Sequence, residues 1–193
     1  MQQMDLKMIL KNKTYLIVLI IALAAISRLI PHPLNFTPIA ALGLFGAAHL
    51  KPRWLAFAIP FVALWLSDII LMNGPLGKYY QGFQWFGHIW VYSAFLIIIG
   101  IGFLIRGKVS FLNIIGASLG SSILFFLITN LGVWLGSAVY PQNISGLLMS
   151  YIAGIPFFWN TLAGDLFYCS VLFGSYAWYS KKYEIRQKTR QGA

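Results

Sequence analysis

Phe111-Leu-Asn-Ile-Ile-Gly-Ala-Ser-Leu-Gly-Ser-Ser-Ile-Leu-Phe-Phe-Leu-Ile-Thr-Asn-Leu-Gly-Val-Trp-Leu-Gly-Ser137 contains no Asp, Glu, Lys or Arg. At ~1.5 Å per residue such a run, coiled as a helix, reaches about 40 Å, more than the ~30 Å hydrocarbon core of a bilayer. It reads as a membrane span. Working outward, the same criterion picks out 15–30, 38–50, 54–72 and 86–105 upstream and 148–179 downstream, each bounded by Pro, Gly, Asn or basic residues. The second is too short to cross a full core unaided. The sixth is long and is expected to bend at Pro156, where a backbone donor is missing.

Composition supports the same class. The chain is 59% hydrophobic and only 9% charged, with mean hydropathy +0.75, too little polar surface to cover a globule in water. We expect an all-α membrane protein, one integral domain over residues 1–193 built as a six-helix transmembrane bundle. The N-terminus imitates a secretory signal, with basic residues, an apolar stretch and Ala22-Leu23-Ala24. Arg28 and the immediate return through a second segment fit a retained helix better.

Fourteen Lys and Arg against four Asp and Glu give a net charge of +10, which raises the question of nucleic acid. Position answers it. Lys7, Lys11 and Lys13 lie at the start, Lys51 with Arg53 and Arg106 with Lys108 in two connections, and Lys181, Lys182, Arg186, Lys188 and Arg190 at the end. Basic residues on alternate connections mark cytoplasmic loops, so both termini are expected in the cytoplasm, with 180–193 a basic tail. Such charges face lipid headgroups rather than a nucleic-acid groove. The single cysteine, Cys169, forms no disulfide within one chain and reads as a small packing residue.

Ionisable residues inside spans are costly, at about 2.5 kcal/mol or more at mid-membrane, and there are three: Arg28, Asp68 and Asp165. Arg28 and Asp68 fall at similar depth in the outer leaflet and can pair as a structural lock. Neutral polar residues collect on the same outer side: His32, Asn35, Asn130, Asn160 and Thr161. Thr161 and Asp165 share a helix face at four-residue spacing, as do Asn130 and Trp134. With Trp159 and Tyr140 these residues are expected to line an outward cavity of apolar walls and a few convergent polar groups, as small-molecule sites do. The plainer alternative is that Asn, Thr and Asp only bond neighbouring helices, and that Trp and Tyr are interfacial anchors.

No catalytic constellation is visible. Gly116-Ala117-Ser118-Leu119-Gly120 matches the nucleophile-elbow pattern but lies inside an apolar helix where the pattern needs a strand-to-helix turn. Gly116 with Gly120, and Gly43 with Ala47, read instead as flat strips for helix packing. There is no phosphate-binding Gly-x-x-x-x-Gly-Lys loop, and two histidines, His32 and His88, make a weak case for a metal. We expect neither an enzyme nor a cofactor.

The run Arg28-x-x-Pro31-His32-Pro33-x-Asn35-Phe36-Thr37-Pro38-Ile39-x-Ala41-x-x-Leu44-Phe45-Gly46-Ala47, with Ser67-Asp68, Thr129-Asn130-x-x-x-Trp134, Tyr140-Pro141, Gly146-Leu147 and Ile155-Pro156-Phe157-Phe158-x-Asn160-Thr161-x-x-Gly164-Asp165, resembles an uncharacterised bacterial family described as small integral membrane transport proteins. More distantly, the six-helix architecture is similar to the substrate-binding S components of energy-coupling factor (ECF) vitamin transporters. That likeness implies an outward pocket for a vitamin-like solute, a bacterial inner-membrane location, and a coupling membrane protein with ATPases as partner. Asp165, Asn160, Thr161 and Asn130 would hydrogen-bond the solute, Trp134 and Trp159 would stack on it, and the 31–37 and 73–84 loops would cover it. The Ala-x-x-x-Ala strip by which such components meet their coupling protein is replaced here by Ala22, Ala24 and Ala25 leading into Ile26 and Arg28. The alternative function is a non-transporting membrane partner subunit.

Overall fold

The computed structural model describes the backbone of residues 2–136 and 138–191 and the side chains of residues 13–136 and 138–182. Among these residues the regular elements are all helical: α1 (Gln2–Ser27), α2 (Ile39–His49), α3 (Arg53–Asn73), α4 (Ile89–Leu104), α5 (Phe111–Gly136) and α6 (Ile144–Gln191), with a 3-10 turn at Gly77–Tyr79. Three spans are long and apolar enough to cross a membrane: Arg53–Asn73, Phe111–Gly136 and Ile144–Lys182. The others, including the Lys13–Ser27 part of α1, are shorter apolar helices. Helix extends beyond the expected bounds at both ends, since α1 begins at Gln2 and α6 runs through the expected 180–193 tail to Gln191. The side chains of residues 183–193 lie outside the described residues. Pro156, expected to bend the last segment, sits inside an uninterrupted α6. A helix in apolar surroundings tolerates the lost donor where its neighbours re-satisfy the backbone.

The organising element is α2. At about 16 Å it is half the thickness of a hydrocarbon core, and it touches all five other helices. Ten of its eleven residues are buried, as a helix that is apolar on every side must be. Small residues let the neighbours close on it. A Cβ on Gly46 would fall 2.3 Å from Pro60 Cγ of α3, and one on Gly102 of α4 would fall 2.6 Å from Ala47 Cβ. Gly43 lies against Phe95 and Ile98, so the Gly43–Ala47 strip packs α2 on α4. The strip expected at Gly116 and Gly120 does not pack: nothing lies within 4 Å of a Cβ built at either position. Ser118, Ser121 and Ser122 are buried instead. Spacings of three and four put these serines on one face of α5, and Gly116 and Gly120 share the opposite one.

The connection into α2 is irregular: residues 30, 31 and 33–35 are exposed, Phe36 and Thr37 are half-buried, and the chain becomes buried at Pro38. Asn35 takes a left-handed φ of 64°, and a Cβ on Gly164 of α6 would come within 2.9 Å of the Thr37 nitrogen. Asn160 Nδ2 donates to the Leu34 carbonyl at 3.0 Å. The start of α2 is thereby held against the middle of the Ile144–Lys182 span. At the other end of α2, Arg106 donates to the Leu50 carbonyl, which gathers two of the basic connections at one end of the bundle.

Candidate solute cavity and polar sites

A cavity of about 390 Å³ opens between α5 and α6, with Val91 of α4 and Leu34 and Asn35 of the first connection completing its wall. Its volume is within the range of small-molecule sites. Phe125, Phe126, Phe157 and Phe158 supply aromatic surface, and Asn35, Thr129, Asn130, Tyr140, Ser150 and Thr161 supply polar atoms. Three of the hydroxyls bond backbone carbonyls of their own helices, and Ser150 Oγ also reaches the Asn130 carbonyl of α5 at 3.3 Å. Thr129 donates to the Phe125 carbonyl at 2.7 Å, Thr161 to Phe157 at 3.1 Å, and Ser150 to Leu147 at 2.8 Å. A hydroxyl whose proton is committed to the helix backbone presents its remaining lone pairs outward. Asn130 Nδ2 donates to the Phe126 carbonyl at 2.8 Å. Its Oδ1 lies over Gly154, where a Cβ would sit 2.3 Å away. The cavity therefore offers acceptors between aromatic rings.

Of the residues singled out from sequence, the structure brings Asn35, Asn130, Tyr140 and Thr161 to this cavity. Five others fall elsewhere. Asn160 holds the Leu34 carbonyl, and His32 Nδ1 pairs with the Ile30 carbonyl at 2.6 Å. Trp134 Nε1 donates to Pro141 at 2.9 Å, fastening the α5–α6 connection. Trp159 is 61% exposed: the cavity face of α6 runs through Gly154, Phe157, Phe158 and Thr161, and the helical rotation of about 100° per residue points position 159 away. Asp165 is one turn deeper than Thr161 and 2% exposed. The 73–84 loop contributes no lining residue. Asn73 Nδ2 donates to the Ile69 and Gln84 carbonyls, both at 2.8 Å, and Asn73 Oδ1 accepts from the Gln84 amide. These bonds fold the loop over the end of α3. Sequence reasoning missed Ser150 and Gly154 altogether. Gly154 carries no chemical signal of its own, and Ser150 is one serine among many.

Arg28 and Asp68 meet. Arg28 Nη2 donates to Asp68 Oδ1 at 2.6 Å, with side chains 7% and 11% exposed. Arg28 Nη1 reaches Ser67 Oγ and, at 3.3 Å, the Leu64 carbonyl. Tyr92 of α4 donates to Asp68 Oδ2 at 2.9 Å while accepting from the Gly87 amide at 3.1 Å. One buried cluster thus links α1, α3 and α4, and the Tyr92 contribution had no sequence signal. Beside it an apolar groove of about 550 Å³ runs between α1 and α3, lined by Ala22, Ala25, Ile59 and Leu66 among others.

Residues 8–188 match the family of unknown function DUF6580, and the chain belongs to that family. No curated protein and no solved structure matches the chain.

Proposed function

We propose that this DUF6580 member is a multi-pass protein of the bacterial inner membrane, with six spans and both termini cytoplasmic, that captures a small solute for uptake. The observation that carries the reading is the α5–α6 cavity, where acceptor oxygens of Asn130, Ser150 and Thr161 stand among four phenylalanines. Such a lining suits a neutral, donor-rich aromatic solute of vitamin size. It offers no cationic side chain to a carboxylate or phosphate. The distant likeness to ECF S components adds an expectation of a coupling membrane protein with ATPases.

A second reading, the non-transporting partner subunit, draws on the groove between α1 and α3, which a helix of another membrane protein would fill. In that case the polar residues of α5 and α6 only join helices. Ligand-dependent stabilisation separates the two, since whatever binds only the folded state raises its stability, by about 2.7 kcal/mol at a hundred times the dissociation constant. A panel of vitamins and nucleobases is screened for raised thermal stability against wild type and against Ala153→Trp, which fills the cavity. Stabilisation in wild type alone supports capture. No stabilisation by any compound favours the partner subunit.

A further inference from the structure

Asp165 belongs to neither the cavity nor the Arg28 cluster. It lies near the middle of the Ile144–Lys182 span, 2% exposed, and among the described residues the ion pair found is Arg28–Asp68 alone. No ion pair neutralises this carboxylate. Its surroundings are polar but uncharged. Ser122 Oγ donates to Oδ2 at 2.6 Å, and the backbone of Ala40, in the first turn of α2, lies beside the carboxylate. From its own helix Cys169 faces it, while the Tyr168 hydroxyl is engaged with Ser27. α5 has no ionisable residue, the one on α2 is His49 at the far end, and Arg28 of α1 is held by Asp68.

Two features make this more than a helix contact. The first is the hydrogen-bond pattern at Ser122, whose single hydroxyl proton has two acceptors: Asp165 Oδ2 at 2.6 Å and the Ser118 carbonyl at 3.1 Å. With Asp165 ionised, the proton points to the carboxylate. With Asp165 protonated, the carboxylic O–H donates to Ser122 Oγ, whose own proton turns to the Ser118 carbonyl. Both states are satisfied without moving a heavy atom.

The second is position. One turn outward, Thr161 lines the solute cavity. One turn inward, Ser118 and Cys169 line a separate cavity of about 380 Å³, which opens beside His49, Ser110 and Phe111 at the basic end of the bundle. Asp165 and Ser122 line neither cavity; along α6 and α5 they fall between Thr161 and Phe125 of the first and Cys169 and Ser118 of the second.

We propose that Asp165 is a reversible proton-binding site, at which a proton adds to a carboxylate oxygen from one cavity and leaves to the other. That this proton energises solute movement rests on the capture reading; the site itself does not. The test is infrared difference spectroscopy of the solute-free protein in lipid nanodiscs, stepped between mildly acidic and mildly alkaline pH. The expected result is a reversible carboxylic-acid C=O band that moves to lower frequency with 13C-aspartate. It is lost in Asp165→Asn and shifted in Ser122→Ala, which retains the carboxyl and covers the case in which Asp165→Asn does not fold. Three results overturn the proposal: no isotope-sensitive band, a band that survives Asp165→Asn, or one that appears only when sodium is exchanged. A titrating band in a protein that retains no small molecule when drawn from its own membranes refutes capture alone, and a retained small molecule without the band refutes the proton site alone.

Discussion

Replacing Asp68 by Leu leaves the Arg28 guanidinium buried, with the Leu64 carbonyl and Ser67 hydroxyl as its acceptors. Nε has no partner in the intact protein, so it offers no reserve. Removing one member of a buried pair costs about 3–5 kcal/mol, because the survivor's charge is uncompensated. The lost Tyr92 bond, to a charged acceptor, adds to the upper part of that range. Replacing both Arg28 and Asp68 by Leu removes the charge altogether, and such exchanges are often neutral or stabilising. The double variant is therefore expected within about 1–2 kcal/mol of wild type, and the cycle is expected to give a coupling of several kcal/mol. Unfolding by SDS from mixed micelles, followed by far-UV circular dichroism, measures all four proteins. If the double variant loses the sum of the two singles, the pair is not a closed lock between α1 and α3, and the structural argument fails.

Gly46→Ala is expected to lose about 1–3 kcal/mol because its methyl meets the rigid Pro60 ring at 2.3 Å. Gly116→Ala, with open space around the new methyl, is expected to gain up to about 1 kcal/mol; the same SDS titration reads both. Trp159→Ala is expected to leave the affinity of any captured solute unchanged, and Asn130→Ala to weaken it tenfold or more, measured by isothermal titration in detergent. Equal losses in the two would place the solute outside the α5–α6 cavity.

The helical class was legible because uninterrupted apolar runs such as 111–137 leave a chain few alternatives. The burial of α2 had a signal too, since Ile39–His49 is apolar around its whole circumference. Asn130 and Thr161 were legible for a related reason: a polar group in an apolar run needs a partner, while Asn35 was legible as a polar residue of the 31–37 loop on the same side. Direction was harder to read. Trp159 and Asn160 are adjacent in sequence, yet one projects outward while the other holds the Leu34 carbonyl. Trp134 shares spacing with Asn130 but reaches the Pro141 carbonyl. Neither the phenylalanine walls nor Ser150 nor Gly154 stood out, because Phe, Ser and Gly are ordinary in such helices. The depth of Asp165 followed from the entry of α2 into the bundle, a tertiary fact that local pattern does not contain.

Native mass spectrometry of the protein drawn gently from its own membranes, wild type beside Ala153→Trp, tests the proposed function most directly. Capture predicts a small molecule retained by wild type and absent from the folded variant. A wild type that flies empty, or a molecule held equally by both proteins, contradicts it.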